Sequence, residues 1–217
     1  MLEIRKLDFG YTDRFIFKNV NFCIGDGQLL HLKGDNGVGK TTLLKVILGI
    51  FFPKNGSILY NGMNILDNLF LYQKNICFVG HKLGFSPFLT VKENIFFDIN
   101  FFNLEVDYRK ILRKFNLQDF YDDLCYYLST GQKRLVSLLR ILITNAKFWL
   151  LDEPFVSLDK RMIVFIEKIM FNHLSCGGMI LLISHQDIVL KKINYLEYFL
   201  YKRYDKCKDL IFKTNKS

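Results

Sequence analysis

The spacing of apolar residues changes period twice along the chain. Up to about residue 62, apolar and polar positions alternate in short runs: IRKLDFGY, FKNVNFCI, QLLHLKG and SILYNG, the last ending in an Asn-Gly turn. Period-two alternation predicts strands with a buried face. TTLLKVILGI interrupts them with helical spacing, with Gly49 near its end and Pro53 just beyond, where a helix stops. ICFVG at 76–80 predicts another strand. From about residue 89 the spacing turns helical. Thr90 and Glu93 have capping-box separation ahead of TVKENIFF, and DYRKILRKFNL and STGQKRLVSLLRILITN follow as helices. After residue 147, strand and helix alternate: FWLLDE, RMIVFIEKIMFNHL, MILLIS, a short helix, then YLEYFLY.

Apolar strands separated by helices predict a parallel sheet buried on both faces. The chain is therefore expected to be one α/β domain over residues 1–217, with an antiparallel N-terminal lobe and a helical lobe inserted at about 85–145. A chain of 217 residues buries roughly 70% of its unfolded surface, enough to stand without disulfides. The five cysteines form no C-x-x-C pair and read as reduced thiols, and the four histidines are far apart, so no structural metal is expected. The N-terminus is charged and lacks an apolar h-region, so no secretory signal is expected. No apolar stretch reaches the ~20 residues of a membrane span. A soluble chain with net charge +9 points to nucleic acid or an anionic membrane surface as neighbour.

Gly34-Asp35-Asn36-Gly37-Val38-Gly39-Lys40-Thr41, followed by Thr42, fits G-x-x-x-x-G-K-[ST] between a predicted strand and a predicted helix. Glycines let backbone N–H groups curl around a phosphate, and the helix directs its positive end at the same point. Lys40 is expected to reach the β- and γ-phosphates of ATP, and the Thr41 hydroxyl to ligate Mg²⁺. Four apolar residues, Phe148 to Leu151, lead into Asp152 and Glu153. A buried strand ending there brings both carboxylates to the sheet edge that holds the phosphate loop. Asp152 is expected to hold Mg²⁺ through its water, and Glu153 to orient or deprotonate the attacking water.

Leu128-Ser129-Thr130-Gly131-Gln132 is one residue from LSGGQ, and here the chain resembles the ABC ATPases, whose other marks follow in order along nearly its whole length. The resemblance implies a P-loop NTPase fold of the ABC type, with a RecA-like core, an antiparallel β lobe and an inserted helical lobe. It implies Tyr11 stacked on adenine, a D-loop at Ser157-Leu158-Asp159 and His185 as the switch histidine at the γ-phosphate. Two such domains sandwich two ATPs head to tail, so Ser129, Gly131 and Gln132 of one chain are expected to meet the phosphate held by Lys40 of the other.

His81 stands where most of the family carries a glutamine that faces the membrane partner. Leu135 and Leu139 depart from the more basic, Ala-containing run usual after the signature. The segments FVGHKLGFSPFLTVKENIFF, LSTGQKR, FWLLDEPFVSLD and HLSCGGMILLISHQ resemble the ATP-binding subunit of the haem exporter of cytochrome c maturation, which shares the histidine. That likeness implies a translocase subunit, peripheral on the cytoplasmic face of the inner membrane. Its implied partners are an integral membrane subunit and a second copy of itself, with no nucleic acid. The partner's cytoplasmic helix is expected around His81–Val91, on Phe85, Phe88 and Leu89. Alternatives are the ATPase of another small ABC exporter, an ABC ATPase acting on nucleic acid or the ribosome, and a scaffold that binds ATP without turnover. The interval from Thr42 to Ser129 is too short for the coiled coil usual in the nucleic-acid and ribosome class. Glu153 and His185 argue against the scaffold. The basic, aromatic tail after Leu196 reads as a final strand with a solvated end.

Overall fold

The computed structural model describes residues 1–102, 105–185, 195–201 and 211–213. The N-terminal alternation folds as predicted into strands β1 (Leu2–Gly10), β2 (Phe15–Ile24) and β3 (Leu29–Lys33), followed by helix α1 (Lys40–Ile47) and β4 (Asn55–Tyr60). A short strand β5 (Met63–Asn64) and a helix α2 (Leu69–Lys74) come next. Neither has the length or period to be read from sequence; the Asn68 side chain caps α2 by accepting from the Leu71 amide. Strand β6 (Ile76–Val79) is followed by helices α3 (Val91–Phe102), α4 (Tyr108–Lys114), α5 (Thr130–Leu138) and α6 (Arg140–Ile143). The chain closes with β7 (Phe148–Asp152), α7 (Lys160–Ser175), β8 (Met179–Ile183), β9 (Tyr195–Phe199) and β10 (Ile211–Lys213). The short helix expected between MILLIS and YLEYFLY lies outside the described residues, as does the tail beyond β10.

One expectation is met in detail and one is refined. Thr90 and Glu93 form the predicted capping box, with Thr90 N donating to Glu93 Oε2 at 2.8 Å and Glu93 N to Thr90 Oγ1 at 3.1 Å. The single helix expected over 129–145 is instead two. Leu139 separates them while keeping helical angles (φ −53°, ψ −32°), and Leu142 N bonds to Leu139 O at 3.0 Å, so one turn tightens without redirecting the chain.

β2, β1, β4 and β5 make an antiparallel sheet in that order. The second sheet runs β10-β9-β3-β8-β7-β6 and is parallel except for the pairing of β10 with β9. Every residue of β7 and β8 is buried, because both faces are covered. Alternate side chains serve different cores. Phe148 and Leu150 pack with α1 and the antiparallel sheet, whereas Trp149 and Leu151 pack with α3 to α7. Since β3, β8 and β7 are neighbours in parallel, the loop after β3 and the carboxylates at the end of β7 emerge at the same edge.

Candidate active site

A cavity of about 770 Å³ opens at that edge. Its walls include Asn36, Gly37, Val38, Gly39, Lys40, Thr41 and Thr42, together with His81, Asp152, Glu153 and His185. The loop takes its shape from glycine. Gly34 has φ +144°, and a Cβ there would meet Leu200 O at 2.4 Å; Gly39 has φ +109°, and a Cβ would meet Ile16 Cγ2 at 2.5 Å. Gly39 caps α1 without a side chain, and the amides of the helix's first turn have no intrahelical acceptor. Lys40 Nζ folds back over the loop, donating to Gly34 O at 2.7 Å and Asp35 O at 3.0 Å. Gly34 and Asp35 do not line this cavity, and their carbonyls accept from Lys40.

Thr41 Oγ1 donates to Asp152 Oδ2 at 2.8 Å, and Asp152 is 2% exposed. Two hard oxygens in contact beside a phosphate loop are the donor class that Mg²⁺ takes. Glu153 follows with φ +53°, a left-handed conformation that costs a non-glycine residue energy and marks functional positions. Its amide holds it in place by bonding Ile183 O at 2.9 Å. Its Oε2 accepts from the His185 amide at 3.2 Å. Its Oε1 is buried, accepts no hydrogen bond among the described residues, and lies 3.5 Å from His185 Nε2. A buried carboxylate oxygen with an unused lone pair is a costly arrangement unless a reacting group comes to it.

Ser129, Gly131 and Gln132 do not line this cavity. Ser129 caps α5: its Oγ accepts from Gln132 N at 3.2 Å, and its own amide donates to Gln132 Oε1 at 2.8 Å. Gly131 is pressed by the Ser157 carbonyl, which a Cβ would approach to 2.8 Å. Ser157 itself sits at φ +64°, and Asp159 caps α7 through Met162 N. Tyr11 also stands apart. It is 62% exposed, with its ring edge-on to Phe9 and Phe51, and the aromatic that lines the cavity is Phe15. The turn from Gly10 to Arg14 carries Tyr11 outward, and β2 then brings Phe15 and Ile16 to the wall.

Arg134 was not singled out in the sequence. It is 4% exposed and donates to four main-chain carbonyls: Gly80 at 2.8 Å, Asp152 at 2.8 Å, Glu153 at 2.6 Å and Pro154 at 3.2 Å. One guanidinium thus ties the signature helix to the strand end before His81 and to the strained carboxylate turn. Burial depresses its pKa, partly offset by the charges of Asp152 and Glu153. The basic residue in LSTGQKR was the available signal; its four acceptors were not.

A family model described as "ABC transporter" matches residues 17–156. The "Cytochrome c biogenesis ATP-binding export protein CcmA" of Legionella pneumophila (strain Lens) is 46% identical over 200 residues, covering 92% of this chain and all of that protein. A solved "ATP binding subunit of ABC transporter" has a TM-score of 0.83 at 25% identity, covering 93% of this chain and 86% of its own. An ATP-binding cassette solved as a dimer in a post-hydrolysis state with ADP and Pi has the same fold, with TM-score 0.83 at 21% identity over the whole of both chains. Phosphate loop, carboxylate strand and these likenesses agree: the chain belongs to the ABC transporter family as an ATP-hydrolysing subunit, and within it to the cytochrome c biogenesis ATP-binding export proteins.

Proposed function

We propose that this chain binds Mg-ATP at the Lys40 cavity and drives export of haem through an integral membrane subunit. The hydrogen bond between Thr41 and Asp152 carries the nucleotide reading, because it joins the phosphate loop to the metal-binding carboxylate. When bound, Mg²⁺ neutralises developing phosphate charge. Thr41 and Asp152 hold it, Lys40 and the α1 amides hold the phosphates, and Glu153 takes the proton of the attacking water. His185 and Ser129, Gly131 and Gln132 of a second copy complete the site. Phe15 is better placed than Tyr11 to flank the base. Lys40→Ala is expected to abolish retention of Mg-ATP in equilibrium binding; wild-type affinity would remove Lys40 from the site. Haem as cargo rests on the kinship with the export protein alone.

The membrane subunit is expected on the face around Phe88. Asn94 orders this segment, accepting from Ser86 N at 2.9 Å and donating to Ser86 O at 3.0 Å. Pro87 O and Leu89 O accept from the Tyr126 and Cys125 amides, which ties the Phe88 segment to the turn that carries Tyr126 and Tyr127. All three rings are exposed, Phe88 by 78%. The trio expected from sequence divides: Phe85 packs against the helical core, Leu89 is half-buried and only Phe88 is free to anchor a helix. Among the described residues no helix is long and apolar enough to cross a membrane, so attachment would run through such a surface. Phe88→Ala is expected to leave the melting temperature unchanged and to abolish co-purification with the membrane subunit. Phe85→Ala is expected to lower it, since a core contact is lost. Wild-type recovery of the partner with Phe88→Ala would place the interface elsewhere.

A further inference from the structure

His31 occupies the middle of β3 at 2% exposure. Its neighbours Leu30 and Leu32 face the α1 core, while Leu29 faces the helical core, so by alternation His31 shares the face of Leu29. On β7 and β8 that face is apolar, with Trp149, Leu151, Ile180 and Leu182, while on β9 the buried Glu197, ion-paired to Lys33, stands in register with His31. An imidazole buried there costs free energy unless it is hydrogen-bonded. Its Nε2 meets Ser184 O at 3.0 Å. A carbonyl only accepts, so Nε2 carries the hydrogen and donates.

The position of that carbonyl gives the contact its consequence. The main-chain pairing of β3 with β8 runs from Leu29–Ile180 to His31–Leu182. Ser184 lies just past β8, and the His31 side chain reaches its carbonyl from β3. Ser184 O and His185 N belong to one peptide group. The His185 N–H of that group donates to Glu153 Oε2 at 3.2 Å. One planar peptide is thus held at both ends, by a buried imidazole on its oxygen and by the carboxylate on its hydrogen. Hydrogen bonds in such a chain polarise one another, so donation at the oxygen strengthens donation at the nitrogen. The same peptide fixes where the His185 side chain begins.

We infer that His31 is a positioning residue for hydrolysis: through the Ser184–His185 peptide it orients Glu153 and the base of His185, without touching nucleotide. The inference rests on the reading that Glu153 takes the proton of the attacking water. In the full chain, His31→Leu is expected to lower kcat about tenfold, the size of one well-placed hydrogen bond. KM for Mg-ATP should stay within about twofold, because the phosphate loop keeps its own contacts. His31→Gln, whose amide nitrogen reaches toward the Nε2 position, should restore most of the rate, which a merely space-filling role would not require. In a Glu153→Gln background, His31→Leu should cost little further residual turnover, since its path runs through that carboxylate. Wild-type kcat in His31→Leu, equal losses in the Leu and Gln variants, or an undiminished loss in the Glu153→Gln background would each overturn it. Should the Leu variant not fold, His31→Asn, whose amide falls short of Nε2, takes its place and the contrast with Gln decides. Normal turnover in Glu153→Gln alone would instead remove the reading beneath the inference.

Discussion

Glu153→Gln is expected to stop turnover while leaving nucleotide bound. The carboxamide fits the same space and still accepts from the His185 amide, the contact that Glu153 Oε2 makes. It cannot take a proton from water at neutral pH. Loss of a general base of this kind lowers kcat by roughly 10²–10⁴, or about 3–5 kcal/mol of barrier. Phosphate release under saturating Mg-ATP measures the rate, and equilibrium binding measures retention. The same variant should show ATP-dependent self-association by sedimentation, because Ser129, Gly131 and Gln132 do not line the cavity of their own chain and, in the proposed two-chain site, would meet nucleotide from a second copy. Normal turnover would remove Glu153 from the chemistry. A strict monomer with nucleotide bound would count against the two-chain site.

Arg134→Met is expected to produce the largest loss of stability among the substitutions considered. Methionine fills similar volume but offers no donor, so carbonyls of Gly80, Asp152, Glu153 and Pro154 lose a shared charged partner in a buried place. Hydrogen bonds to charged groups contribute about 1.5–3 kcal/mol each, and some of that is offset by no longer burying the guanidinium. A net loss of about 3–5 kcal/mol would lower Tm by about 10 °C in a chain of this size. Arg134→Lys should fall between, since a single ammonium cannot span all four acceptors. Thermal denaturation of the three proteins decides it, and unchanged Tm in Arg134→Met would show that the carbonyls find other partners. Turnover should fall further than Tm alone explains, because the left-handed turn at Glu153 loses its clamp.

The sequence was most readable where chemistry and local geometry demand the same residues. The phosphate loop needs glycine at Gly34 and Gly39 because side chains collide there, and a pattern search finds that constraint directly. Asp152 and Glu153 were readable because four apolar residues ahead of them force a buried strand that ends at an edge. The Thr90 cap was readable for the same local reason. Arg134 and His31 escaped because their acceptors are main-chain carbonyls, which carry no residue type, at separations of up to 54 and 153 residues. Tyr11 was placed by family order, but the direction of a five-residue turn decides which aromatic reaches the wall. Phe85 and Phe88 look alike in a string of letters and differ in whether a neighbouring core lies beneath them.

The alternation of β7 between two cores limits how the engine can move. Phe148 and Leu150 are gripped from one side, Trp149 and Leu151 from the other. A sideways shift that relieved one grip would crowd the opposite one, and close-packed interiors resist such compression. The strand is therefore a fixed axle, with Asp152 and Glu153 held at constant height at its end. Whatever swings during a cycle must be hung on that axle from outside, on the helical side that α5 carries. Arg134, reaching from α5 to the carbonyls at the end of the axle, is the linchpin that joins that helical side to the carboxylate turn.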